Sequence, residues 1–166
     1  MAIDQSDLRR AAQRQTFRKS LLRAHGQRTA FLCHSHKDRE LAEGLQVLLA
    51  EKGVELYIDW QDTAMPDKPN EETAGRIKLK IKNCDWFLFL ATANSMSSRW
   101  CPWELGYADG SKPLERIAIV PTMDGLSTHG NEYVGIYRRI YSHGGELFWM
   151  STDNKQATVV RVIPFL

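Results

Sequence analysis

The chain has 166 residues, 22 Lys and Arg against 20 Asp and Glu, and 43% apolar residues, the balance of one globular domain able to bury a full core. No run approaches the ~20 apolar residues of a membrane span, and no signal-peptide core opens the sequence. The odd set Cys33, Cys84 and Cys101 lacks metal-like pair spacing, so buried free thiols at Cys33 and Cys84 and a cytoplasmic setting are expected.

Charge is unevenly distributed. Residues 1–28 carry seven Lys or Arg against Asp4 and Asp7, or +5, which leaves −3 on the rest. This leader, residues 1–27, predicts a basic N-terminal helix that rests Leu8, Ala12, Phe17, Leu21 and Leu22 on a domain spanning 28–166, or that aids its assembly.

Strand and helix then alternate. "TAFLCHS" (29–35) is a short apolar run with a polar end, as a buried parallel strand requires. Ser35 and Asp38 form an S-x-x-D capping pattern before Leu41, Leu45, Leu48 and Leu49 at helical spacing, and Gly53 stops that helix. "VELYIDW" (54–60) is a second strand, followed by a long loop, "QDTAMPDKPN" (61–70), punctuated by two prolines. A helix over about 71–83 has Glu71 and Glu72 in its first turn and turns Ala74, Ile77 and Ile81 inward. "CDWFLFLAT" (84–92), the most apolar run, is predicted as the central strand. A helix from Ser97 or Ser98 follows, with Pro102 in its first turn. "RIAIVPTM" (116–123) is a fourth strand, 124–130 a loop, and "GELFWMS" (145–151) a fifth strand. "TVVRVIPFL" closes the chain as an extra strand or a packed tail. This order implies right-handed crossovers and a parallel sheet with helices on both faces, its ligand site at the carboxyl ends of the strands.

Several chemistries fall away. "HSHKD" after the first strand is no glycine-rich phosphate turn, the third strand ends without an aspartate, and no G-x-S-x-G elbow exists. His34 and His36 lack further ligands placed to complete a zinc site, so no metal is expected. The helix "SSRWCPWELGYADG" (97–110) sets Trp100, Trp103, Glu104, Tyr107 and Ala108 on one face. Glu104 admits two readings. One is a helix-start carboxylate worth ~0.3–1 kcal/mol against the macrodipole. The other is a site carboxylate beside an aromatic wall, suited to a nucleoside-like ligand and an oxocarbenium-like transition state.

"FLCHSHKD", "LYIDWQD", "CDWFLFLATANSMSSRW" and "WCPWELGYA", in this order, resemble the Toll/interleukin-1 receptor (TIR) domain family over about residues 28–150, most closely its bacterial stand-alone type. The resemblance implies a flavodoxin-like five-stranded parallel sheet and, as in many bacterial and plant members, cleavage of the nicotinamide–ribose bond of NAD as substrate, with no cofactor. The family's W-x-x-x-E falls on Trp100 to Glu104, which implies Glu104 as the catalytic carboxylate and Trp100 as a stacking residue. Ser35 corresponds to the small polar residue after the first strand, and His34 to the aromatic before it. Trp60 to Asn70 corresponds to the loop that gates the site and makes TIR–TIR contacts, although "MPDKPN" departs from its usual glycine-rich form; Asp59 and Trp60 are the substrate contacts implied at its start. Trp103 is expected to anchor the helix in the core while bordering the substrate. The resemblance further implies self-association and, for a short bacterial protein, antiviral defence through depletion of NAD or a nucleotide signal read by a separate effector. Nucleic acid is not an expected partner. The rival readings are a non-catalytic TIR–TIR scaffold and a deoxyribosyltransferase-like enzyme acting on another glycosidic bond.

Overall fold

The computed structural model describes residues 1–14, 28–66, 70–133, 135–144, 146–150 and 160–161. Five strands run parallel in the order β3 (Val54–Tyr57), β2 (Arg28–Cys33), β4 (Trp86–Ala91), β5 (Ile117–Asp124) and β7 (Arg138–His143). This is the expected flavodoxin-like sheet. The pleat explains its two-sided core, since successive side chains point to opposite faces. In β4, Trp86, Leu88 and Leu90 join one apolar layer while Phe87, Phe89 and Ala91 join the other. The first layer is covered by α1 (Gln5–Gln13) and α2 (Arg39–Ala50), the second by α3 (Glu71–Asn83) and α5 (Trp100–Ser111). Phe31 and Phe87 stack at 5.8 Å in the second layer, each burial contributing about 1.5–3 kcal/mol.

Helix ends follow their capping chemistry. Asn70 accepts from the Thr73 amide at 2.9 Å, and the Thr73 hydroxyl accepts from the Asn70 amide at 3.1 Å, which starts α3 at the expected residue. Ser98 Oγ accepts from the amides of Trp100 and Cys101 at 3.1 and 3.3 Å and so opens α5. Gly53, at φ 80°, closes the turn that ends α2. Asp38 departs from its expected capping role. It makes no side-chain cap to α2, because its carboxylate is turned across the sheet edge.

Two strand assignments change. "GELFWMS" forms β8 (Glu146–Met150), but antiparallel to β7; the fifth parallel strand is β7, absent from the sequence reading. Arg138 and Arg139 at its start disguise it as polar, yet the Arg138 guanidinium lies 5.6 Å from the centre of the Trp149 ring. β9 (Val160–Arg161) extends the sheet beyond β8, and the rest of the tail lies outside the described residues. The 124–130 segment is also not a plain loop. β5 turns at Gly125, φ 59°, into β6 (Ser127–His129).

The first fourteen residues are packed on the domain. β1 (Ile3–Asp4) pairs in parallel with Thr122 and Met123. In α1, Leu8 and Ala11 are buried, with Ala12 at the margin. α1 crosses α2 so closely that a Cβ on Gly44 would stand 1.9 Å from the Leu8 carbonyl oxygen. Phe17, Leu21 and Leu22 lie outside the described residues.

Candidate active site at the carboxyl edge of the sheet

The chain passes from β2 to β3 on one side and returns to β4 on the other, so strand order reverses between β2 and β4, where α/β sheets bind ligands. Short polar segments leave the strands there. After β2 come His34, Ser35 and a 3-10 turn at His36–Asp38; after β3 comes a 3-10 turn at Asp59–Gln61; after β4 come Thr92 and the one-turn helix α4 (Ala93–Met96).

The first two segments are joined side chain to side chain. The Trp60 indole N–H donates to His34 Nε2 at 3.0 Å, and His34 Nδ1 lies 3.2 Å from the Leu32 carbonyl. An indole only donates, so Nε2 carries the lone pair and Nδ1 the proton. Burial keeps His34 below the ordinary histidine value, against the raising effect of Asp59. The Arg39 guanidinium covers the Trp60 ring at 5.0 Å. Asp59 lies 3.8 Å from His34 and 3.6 Å from His36, so the structure supplies a carboxylate that sequence spacing did not. The Trp60 bond occupies the His34 nitrogen that would face a metal. Ser35 Oγ accepts from the Lys37 amide at 3.3 Å, so the serine starts the 3-10 turn.

Asp38 ties the first segment to the third. Its buried carboxylate accepts from Thr92 Oγ1 at 2.5 Å and from Asn94 Nδ2 at 2.6 Å. Thr92 and Ser95 in turn form a capping box at the start of α4. A cavity of about 210 Å³ opens beside this network, toward Gln5 and Arg9 of α1. It is smaller than the ~300–1,000 Å³ typical of ligand pockets.

Glu104 approaches from α5. Its side chain is on the buried face with Cys101, Leu105 and Ala108, and the residue is only 6% exposed. The aromatic stripe stands beside this face rather than on it. Trp100 and Trp103 are each 36% exposed and meet edge to face at 5.4 Å, and Lys78 of α3 lies 5.7 Å from the Trp103 ring. The expected core anchor Trp103 is thus corrected to a surface residue, since small Cys101, Leu105 and Ala108 fit against the sheet and the indoles do not. Burial pushes the Glu104 carboxyl well above the usual carboxylate range; Cys101 and Asp59 add to this, and the Cys33 thiol opposes it. The macrodipole reading is therefore outweighed by desolvation. Cys33 Sγ, at the end of β2, lies 3.7 Å from the Cys101 carbonyl, which sets the first turn of α5 against the strand end that carries His34.

Sequence reasoning missed Cys33, Cys101, Asp38 and Thr92 at this edge. Of these, Asp38 was read only as part of the "SHKD" capping pattern and Cys33 only as a buried thiol.

Residues 30–141 match the TIR domain family. The chain belongs to the TIR domain family. The TIR domain is 34% identical over 136 residues, 76% of this chain and 69% of the relative, to a probable 3′ cyclic ADP-D-ribose synthase of Bacillus cereus (strain MSX-D12). It is 27% identical over 81 residues, 47% of this chain and 21% of the relative, to a protein of Cytobacillus dafuensis named provisionally as a cyclic ADP-D-ribose synthase. Among its described residues this TIR domain has no helix long and apolar enough to cross a membrane.

Proposed function

We propose that this TIR domain is an NAD-cleaving enzyme that breaks the nicotinamide–ribose bond and closes or hydrolyses the ADP-ribosyl product, with Glu104 as its catalytic carboxylate. The observation that carries the reading is the buried Glu104 at the switch point of the sheet, next to the partly exposed Trp100. The names of the two relatives support the substrate and the cyclising outcome.

Nicotinamide in NAD is already cationic, so it leaves with the C1′–N bonding pair and needs no general acid. Positive charge then develops at C1′ and the ring oxygen. An anionic Glu104 held against the ribose stabilises that charge and fixes the ribose hydroxyls. The pyridinium ribose itself favours the anion, which offsets the cost of burying it. Attack by water at C1′ with loss of its proton gives ADP-ribose; attack by a nucleophile within ADP-ribose, again with loss of a proton, gives a cyclic product. Glu104 is the group placed to accept that proton. Trp100 supplies an exposed ring for stacking, while Ser35, His34, Asp59, Trp60 and Trp103 border the entrance.

The same reading includes self-association through the 60–70 loop and neighbouring helices, a cytoplasmic location, and a separate effector that responds to the product in antiviral defence. Residues 1–27 serve as an N-terminal extension of the 28–166 domain, and residues 3–11 of it pack on that domain.

Incubation of concentrated protein with NAD, followed by mass spectrometry, tests the proposal. Nicotinamide and a linear or cyclic ADP-ribose are expected from wild type and are lost in Glu104→Gln. Assembly without turnover at any concentration would instead favour a scaffold.

A further inference from the structure

The indole of Trp60 is already engaged in the folded chain. Its N–H is given to His34 Nε2 at 3.0 Å, its body packs on the first core layer, and the Arg39 guanidinium lies 5.0 Å from the ring centre. An indole has no second polar group to offer a ligand. The group that this corner presents to solvent is Arg39.

Arg39 is exposed and is the first residue of α2, a helix of 12 residues. A cation is disfavoured there, because the first amides of a helix already carry partial positive charge. Asp38, the residue before it, gives no side-chain cap to α2, its carboxylate being held by Thr92 and Asn94. Glu43 shares the helix face four residues on, yet Arg39 forms no ion pair with it or with any other carboxylate among the described residues. Glu40 pairs with Arg9 instead. Asp59, the acid of the neighbouring turn, accepts from the Trp60 amide at 2.8 Å and lies beside His34 and His36. An unpaired guanidinium is thus held on an aromatic ring at the positive end of a helix. Both features favour a bound anion. The corner is tied to the candidate acid through the fold. His34 follows Cys33, whose Sγ lies 3.7 Å from the Cys101 carbonyl, one turn before Glu104.

We propose that Arg39, mounted on Trp60, binds the pyrophosphate of the dinucleotide substrate, holding the phosphates at the start of α2 while the nicotinamide ribose reaches Glu104. The proposal rests on the catalytic reading of Glu104 and deepens it by naming a residue that selects for a diphosphate. A planar guanidinium meets two phosphate oxygens at once, and stacking on Trp60 leaves it less freedom to lose on binding. Lysine keeps the charge without the fork. Methionine keeps a stem on the ring without the charge.

Calorimetry with ADP-ribose, which keeps the pyrophosphate and lacks the scissile bond, tests this in wild type, Arg39→Met and Arg39→Lys, beside kcat and KM for NAD. Thermal melts confirm that each variant is folded. In Arg39→Met the Kd for ADP-ribose and the KM for NAD are expected to rise about tenfold, with kcat within about twofold of wild type. Arg39→Lys is expected to lose about threefold. Added salt weakens ADP-ribose binding more in wild type than in Arg39→Met, a difference that mere support of Trp60 would not produce. Arg39→Met binding ADP-ribose as tightly as wild type overturns the proposal, as does a wild type that does not bind ADP-ribose, or a fall in kcat with KM unmoved. Should Arg39→Met fail to fold, an Arg39→Lys Kd equal to wild type overturns it. A wild type that binds ADP-ribose through Arg39 but turns over no NAD keeps the pyrophosphate site and sinks the catalytic reading.

Discussion

Trp60 and His34 share one hydrogen bond, indole N–H to Nε2 at 3.0 Å, that fastens the loop after β3 to the end of β2. The bond exists only while His34 is neutral. Since burial holds His34 below the ordinary histidine value of about 6.5, the unfolded chain binds the proton more readily than the native one. Stability is therefore full above that value and declines as pH falls below it. Urea unfolding at several pH values from 8 to 5 is expected to show this decline in wild type and a shallower one in His34→Gln. Trp60→Phe removes the donor, so His34 of the folded protein protonates at higher pH and the decline with falling pH becomes shallower than in wild type.

Glu104 has the opposite sign. Its carboxyl is raised in the folded state, so the native protein holds the proton between the ordinary carboxylate value and the raised one. Stability from this group is full below that window and is lost as pH rises through it. Glu104→Gln keeps the shape without the ionisation. The variant is expected to lose about 10²–10³-fold in kcat while its melting temperature gains on wild type from pH 4 to pH 8. Parallel melting curves of the two proteins across that range would contradict the buried acid.

Asp38 holds Thr92 and Asn94 across the sheet edge at 2.5 and 2.6 Å. Removing a charged acceptor leaves two donors without it, and hydrogen bonds to charged groups contribute about 1.5–3 kcal/mol. Asp38→Ala is expected to lower the unfolding free energy by about 2–3 kcal/mol, and Thr92→Val by less. Equilibrium denaturation measures both.

Gly44 sits where α1 and α2 touch. Alanine improves helix propensity by about 1 kcal/mol, but its Cβ would meet the Leu8 carbonyl oxygen at 1.9 Å. A backbone atom cannot turn aside, so α1 must move. Gly44→Ala is expected to be destabilising by about 1–3 kcal/mol, with faster hydrogen exchange confined to α1.

The parallel sheet was legible because its buried strands are near-continuous apolar runs, and α3 because Glu71 and Glu72 mark its first turn and Ala74, Ile77 and Ile81 fall at helical spacing. β7 was hidden by Arg138 and Arg139, whose charges mask a strand. The phase of α5 was misjudged for a related reason. Apolarity alone turns Trp100 and Trp103 inward, whereas their size leaves them at the margin and gives the buried face to smaller neighbours. Glu104 was visible by its spacing from Trp100. The seating of its helix on Cys33 was not, because Cys33 and Cys101 are 68 positions apart and only the packing of α5 on β2 brings them together.

β1 places Ile3 and Asp4 against Thr122 and Met123. During synthesis, β1 thus leaves the ribosome more than a hundred residues before its partner on β5. Leu8 can dock once Gly44 has emerged, so α1 waits on α2 while β1 still lacks its sheet. Domains generally fold from the N-terminus as they are made, and here that order leaves the two ends of the clasp closing at different times. The pairing of β1 with β5 therefore waits until Met123 has emerged.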